Sequence, residues 1–76
     1  MSFLMDFFET DDLDEKYDLV CRMDAEEEVT DSMIDNMAAS LDVVINDGDI
    51  MSRIEELKRC LRTKMKYESI RLRRGK

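Results

Sequence analysis

Histidine is absent from this chain of 76 residues, and so is proline; glycine occurs twice and cysteine twice. Each shortage excludes something. Without histidine, Cys21 or Cys60 would have no imidazole base as a nucleophile, and the commonest partner of cysteine in zinc sites is missing. The two cysteines stand far apart among apolar neighbours, beside Val20 and Leu61, as buried free thiols acting as small hydrophobes do. Nothing else resembles a secreted disulfide scaffold, so a reducing, cytoplasmic setting is expected. Taking Gly48 as the glycine of a calcium loop puts apolar Val43 and Ile54 at its first and last ligand positions, so no metal or other cofactor is expected. Carboxylates are plentiful, but a chain this short has little means of holding them in a deep, dry cleft, and catalysis is not expected.

Long apolar runs are also missing. Asp6 and Glu9 interrupt Phe3, Leu4, Met5, Phe7 and Phe8, which argues against a signal peptide, and no segment approaches the length of a bilayer span. The acidic neighbours of the amino-terminal aromatics would be repelled by anionic headgroups, so no membrane partner is expected.

With no proline and abundant Leu, Met, Ala, Glu, Lys and Arg, local propensity favours helix almost throughout. The pattern predicts an all-α fold: a small three-helix domain whose last two helices form an antiparallel αα-hairpin. The turn is set at Asn46-Asp47-Gly48-Asp49, where Gly48 supplies a left-handed residue closing one helix and Asp49 caps the next. Before it, Met33, Ile34, Met37, Leu41, Val44 and Ile45 recur at steps of three and four. After it, Ile50, Ile54, Leu57, Leu61 and Met65 continue the rhythm. Upstream, Thr10, Asp11 and Asp12 offer caps for a helix that places Leu13, Tyr17, Val20 and Cys21 on one face. The single domain thus divides into an amphipathic segment 1–9, helices 11–23, 30–46 and 49–68, and a basic tail 69–76. Between Met23 and Thr30 a loop and a continuous helix both fit, since Asp24 and Thr30 are plausible caps while Ala25, Val29, Met33 and Met37 align.

Charge is divided along the chain. Residues 1–51 carry sixteen Asp and Glu against Lys16 and Arg22, a balance of −14, whereas residues 52–76 carry ten Lys and Arg against three Glu, a balance of +7. Such segregation lets one part of the molecule attract its own other part, a second copy or a charged partner. A 76-residue chain buries only roughly 60% of the surface its unfolded form exposes, and three short helices leave apolar positions uncovered. The leading expectation is therefore a non-enzymatic adaptor or regulator of another protein, paired as a helical-bundle homodimer through Met33, Met37, Leu41, Ile54, Leu57 and Leu61. Phe3, Leu4, Phe7 and Phe8 either fold back to complete the core or form a docking patch that enters a partner's groove. Arg62, Lys66, Arg71, Arg73 and Arg74 either neutralise acidic helices, within the fold or across a dimer, or contact phosphate backbones as a nucleic-acid binder would. Imitation of nucleic-acid phosphates by the acidic helices is a further alternative, weakened by the basic end, which would repel a positively charged target.

Overall fold

The computed structural model describes the backbone of residues 3–74 and the side chains of residues 3–70. It is all-helical. Four helices follow one another: α1 (Phe3–Glu9), α2 (Leu13–Ala25), α3 (Asp31–Leu41) and α4 (Ile50–Arg74). No helix among the described residues is long and apolar enough to cross a membrane.

The amino-terminal segment is a helix in its own right, and it completes the core. Phe7 is fully buried, with Phe3 and Leu4 packed around the same cluster. Lys16 fastens α1 to α2: its ammonium donates to the Phe7 carbonyl at 2.6 Å and lies 4.3 Å from the centre of the Phe7 ring. One cation thus satisfies a carbonyl that the end of a short helix leaves without a partner, and attracts the ring face as well.

Asp12 caps α2, its carboxylate accepting from the Asp14 amide at 3.0 Å. The open choice at Met23–Thr30 resolves as a loop. Glu27 turns left-handed at φ 55°, and the Glu28 amide reaches back to the Met23 carbonyl at 3.0 Å, while Glu27 donates to Asp24 at 3.1 Å. These two bonds are the Schellman closure of a helix end. Thr30 then caps α3, accepting from the Met33 amide at 3.2 Å.

The expected helix 30–46 stops at Leu41, and the turn is not made by Gly48. Asp42 takes the left-handed conformation at φ 62°, and Val43 donates to Ala38 at 3.0 Å in a second Schellman closure. Gly48 is not left-handed. After Asp42 come three β-branched residues, which lose side-chain freedom in a helix. Here they form a non-helical connection with alternating exposure: Val43 packs on the core, Val44 is exposed and Ile45 is buried. The predicted Asp49 cap does form, since the Arg53 amide donates to the Asp49 carbonyl and Ser52 bonds its carboxylate. The predicted tail is also shorter, because α4 continues to Arg74.

The antiparallel hairpin between the last two helices is replaced by another arrangement. Arg53, early in α4, meets Asp31 and Asp35, early in α3; Lys64, later in α4, shares a hollow with Ser40 and Leu41 at the end of α3. The two helices therefore run in the same sense, with residues 42–49 returning between them. The antiparallel neighbour of α4 is α2, for Tyr17 meets Arg62 and Asp24 meets Lys58. Among the described residues α2 and α3 do not touch at backbone level; α1 bridges them on one side and α4 on the other. The core inside this ring takes Leu19, Val20 and Met23 from α2, Ile34, Met37, Ala38 and Leu41 from α3, and Ile54, Leu57 and Leu61 from α4.

Both Schellman closures place a side chain where glycine is the usual residue, a conformation that costs an L-residue about 1–2 kcal/mol. Glu27→Gly and Asp42→Gly should each stabilise the fold by about 1 kcal/mol, raising the thermal midpoint by about 4–8 °C in a domain of this size. Circular-dichroism melts of the two variants against the parent measure this, and an unchanged or lowered midpoint would contradict the left-handed assignment.

Candidate functional site

Helix α4 carries most of the chain's cations, and the fold treats them in two ways. Those near its start are consumed internally. Arg53 is 6% exposed, and its guanidinium donates to Asp31 at 2.7 Å, to Asp35, and through Nε to the Asn46 carbonyl at 3.2 Å. A cation in the first turn of a helix opposes the helix dipole, so it needs such compensation. Hydrogen bonds from Asp35 and Asp31 raise its pKa above the ordinary arginine value. Lys58 extends to Asp24 at 2.9 Å and to Glu55 at 3.4 Å; chiefly the Asp24 bond raises its pKa, against the opposing effect of burial.

Beyond Lys58 the pattern changes. Arg59, Arg62 and Lys66 are exposed and form no ion pair among the described residues; half-buried Lys64 forms none either. Arg62 leans across to α2, where its Nη1 donates to the Tyr17 hydroxyl at 2.8 Å and its guanidinium carbon lies 5.8 Å from the ring centre. That contact positions Arg62 without neutralising it. Spacings of three and four put Arg59, Arg62 and Lys66 in one row on the outward side of α4.

The neighbouring surface has the opposite sign: Asp14 and Asp18 on α2, with Asp11 just ahead of the Asp12 cap, are all exposed. Asp18 has one partner, Arg22, at 3.1 Å, in a pair whose side chains are both more than half exposed. Asp11 and Asp14 share a hollow with Met65, Glu68 and Ser69, which places them level with the Lys66 turn. Two rows of opposite charge thus lie side by side on antiparallel helices.

The residues assigned to dimerisation are mostly inside the chain. Met37, Leu41, Ile54, Leu57 and Leu61 are buried in the monomer's core, and Met33 is half-buried against it. This corrects the expectation that they form an intermolecular face: α1 and the 42–49 connection cover what three helices alone would leave open. The aromatic patch divides likewise. Phe3, Leu4 and Phe7 join the core, which leaves Phe8, in edge contact with Phe7 at 5.6 Å, exposed beside Met5. Of the basic residues, Arg62 and Lys66 are on the surface, whereas the side chains of Arg71, Arg73 and Arg74 lie outside the described residues. Cys21 and Cys60 are free, half-buried thiols.

Two features went unrecognised in the sequence. Arg53 looked like one cation among ten; the signal for it was a lone arginine in a first helical turn with Asp31 and Asp35 one turn apart upstream. The equal spacing of the acidic and basic rows was legible, but not their adjacency, which depends on α2 being the antiparallel neighbour. The chain matches no family model, no curated protein and no solved structure.

Arg53 is buried whereas Asp31 and Asp35 are largely exposed, so the two halves of the cluster are not equivalent to remove. Arg53→Met leaves carboxylates that water solvates, while Asp31→Asn with Asp35→Asn leaves a buried cation without a counter-charge. The double variant should have the lower urea midpoint, and equal midpoints would contradict the inequivalence of the two halves. For Lys58 the folded pKa is raised, so its contribution is complete below the ordinary value of 10.5 and lost as pH rises through the folded value. The stability difference between the parent and Lys58→Met should therefore be flat from pH 7 to about 10 and shrink above it in melts recorded across that range.

Proposed function

We propose that this chain is a non-enzymatic helical protein-interaction module, a small cytoplasmic adaptor or regulator that docks through the outward side of α4. One observation carries the reading: Arg59, Arg62 and Lys66 remain exposed and without a carboxylate partner among the described residues, although the chain has a net charge of −7 and Arg53 and Lys58 of the same helix are fully engaged. Internal neutralisation accounts for the first turns of α4 and stops there. A row of cations held out from an acidic molecule is suited to a partner that presents carboxylates at matching spacing. The half-buried free thiols fit a reducing compartment.

A second reading, nucleic-acid binding, draws on the same row, because cations three and four apart on one helix face can follow a phosphate backbone. The adjacent Asp11, Asp14 and Asp18 oppose it, since they would lie within a Debye length of the same phosphates. The row of cations equally disfavours mimicry of nucleic acid by the acidic face.

The test is capture on the immobilised chain from a nuclease-treated extract of the native host, with Arg59→Glu/Arg62→Glu/Lys66→Glu as the control. Protein retained by the parent at about 0.1 M salt and lost both by the variant and at about 1 M supports docking through α4, as screening of exposed charges requires. Equal retention by parent and variant counts against it. If the purified chain instead binds duplex DNA, with log affinity falling against log salt at a slope of about −3 for three phosphates, the nucleic-acid reading takes its place.

A further inference from the structure

Resting on the docking reading above, we infer that the partner of the α4 row is the acidic α2 row of a second copy of this chain, in a closed, two-fold, salt-sensitive dimer. The inference stands on where the two rows lie. Tyr17 is level with Arg62, Asp24 with Lys58, and Asp11 and Asp14 with Met65 to Ser69, so Asp18 and Asp14 lie at the levels of Arg62 and Lys66, with Asp11 about one turn beyond Lys66. A two-fold axis parallel to the helices exchanges left and right without changing height. It lays each α2 on the other copy's α4, acid over base, twice, and the contact closes on itself rather than propagating into a filament. A two-fold axis across the helices would set like rows on like and be repelled.

Arg22 is the cation on the outer side of α2; the same levels put it near Arg59, with Glu55, the carboxylate that shares Lys58 with Asp24, about one turn further along α4. Its pair with Asp18 is exposed at both ends, and such pairs contribute little, so both groups are free to exchange partners on association. The contact surface is two helices wide and as long as the 13-residue α2, about 20 Å by 20 Å, which places it among small, exchangeable interfaces. Each copy also carries −7, which repels the other. At about 0.1 M salt this long-range repulsion is largely screened while close pairs are not; at about 1 M the close pairs are screened too.

Sedimentation velocity on the purified chain over a wide range, about 10 to 500 µM, tests the inference at about 0.1 M and 1 M salt. Two charge reversals are compared: Arg59→Glu/Arg62→Glu/Lys66→Glu and Asp11→Lys/Asp14→Lys/Asp18→Lys. The parent should dimerise at the lower salt and not at the higher. Each reversal alone should weaken self-association by at least about a hundredfold, since like charges then face like. An equimolar mixture of the two should restore the dimer, because acid again meets base at both contacts. Circular dichroism establishes that each variant is folded; Arg59→Gln/Arg62→Gln/Lys66→Gln, which leaves α2 untouched, should lose association on its own and serves if the aspartate reversal unfolds α2. A parent that is monomeric throughout, a reversal that dimerises as the parent does, or folded reversals that fail to pair overturns the self-association. If the parent is monomeric yet the capture experiment retains a protein through α4, docking survives with a different partner; if neither occurs, both readings fall.

Discussion

The guanidinium of Arg53 is where the third helix, the returning connection and the fourth helix meet. It sits under the surface with two carboxylates of α3 and a carbonyl of the 42–49 connection around it. A buried charge is tolerated only where its donors are matched, and matching these donors fixes the height of α4 against α3. With Arg53 placed, Ile54 and Leu57 on the following turn enter the core, and the connection is held close enough for Ile45 to cover it. Lys58 repeats the device one turn later, toward Asp24 of α2. The orientation of α4 between its two neighbours is therefore set by cations on its flanks as well as by the apolar stripe facing inward.

That arrangement decides which surfaces are left over. A ring in which α1 and α4 bridge α2 and α3 needs no second molecule to cover its core, so association has to be argued from charge and not from uncovered apolar area. The apolar groups that stay outside are spread over the molecule: Val44, Ile50 and Met51 near the start of α4, Met5 and Phe8 on α1, and Tyr67 and Ile70 toward the end of α4. Single exposed apolar residues are ordinary on monomer surfaces. The ordered features outside are the acidic row of α2 and the basic row of α4.

Helical character was plain in the sequence because periodicity and propensity agreed across long stretches, and the caps Asp12, Thr30 and Asp49 were legible from residue type and position. The end of α3 was not. Gly48 is the residue that propensity nominates for a left-handed turn, yet Asp42 takes that role because Val43, Val44 and Ile45 follow it, and apolar residues at 41, 44 and 45 are as compatible with a helical count as with an extended one. Moving the helix end by five residues, from Asn46 to Leu41, changes the partner of α4 from a hairpin neighbour to α2. The assignment of Leu57 and Leu61 to an intermolecular face failed for a related reason. Apolar periodicity tells which side of a helix is buried, but not whether the same chain or another covers it.

The division of charge takes on a different meaning in three dimensions. Along the chain it is a boundary near Met51, with acid before and base after. In the fold, the cations just past the boundary turn inward to carboxylates of α2 and α3, and the next group turns outward beside a row of carboxylates it does not touch. Neighbouring helices of opposite sign could satisfy each other within one molecule if their rows faced the shared groove. Here that groove is filled by Tyr17, by the Arg62 contact to it and by the Lys58–Asp24 pair. Tyr17 holds Arg62 by its hydroxyl and ring, so the guanidinium stays fixed and charged without a carboxylate. Separate rows whose heights overlap, Asp14 and Asp18 against Lys66 and Arg62, are the condition under which an identical molecule becomes a matched partner, since exchanging left for right then sets acid over base.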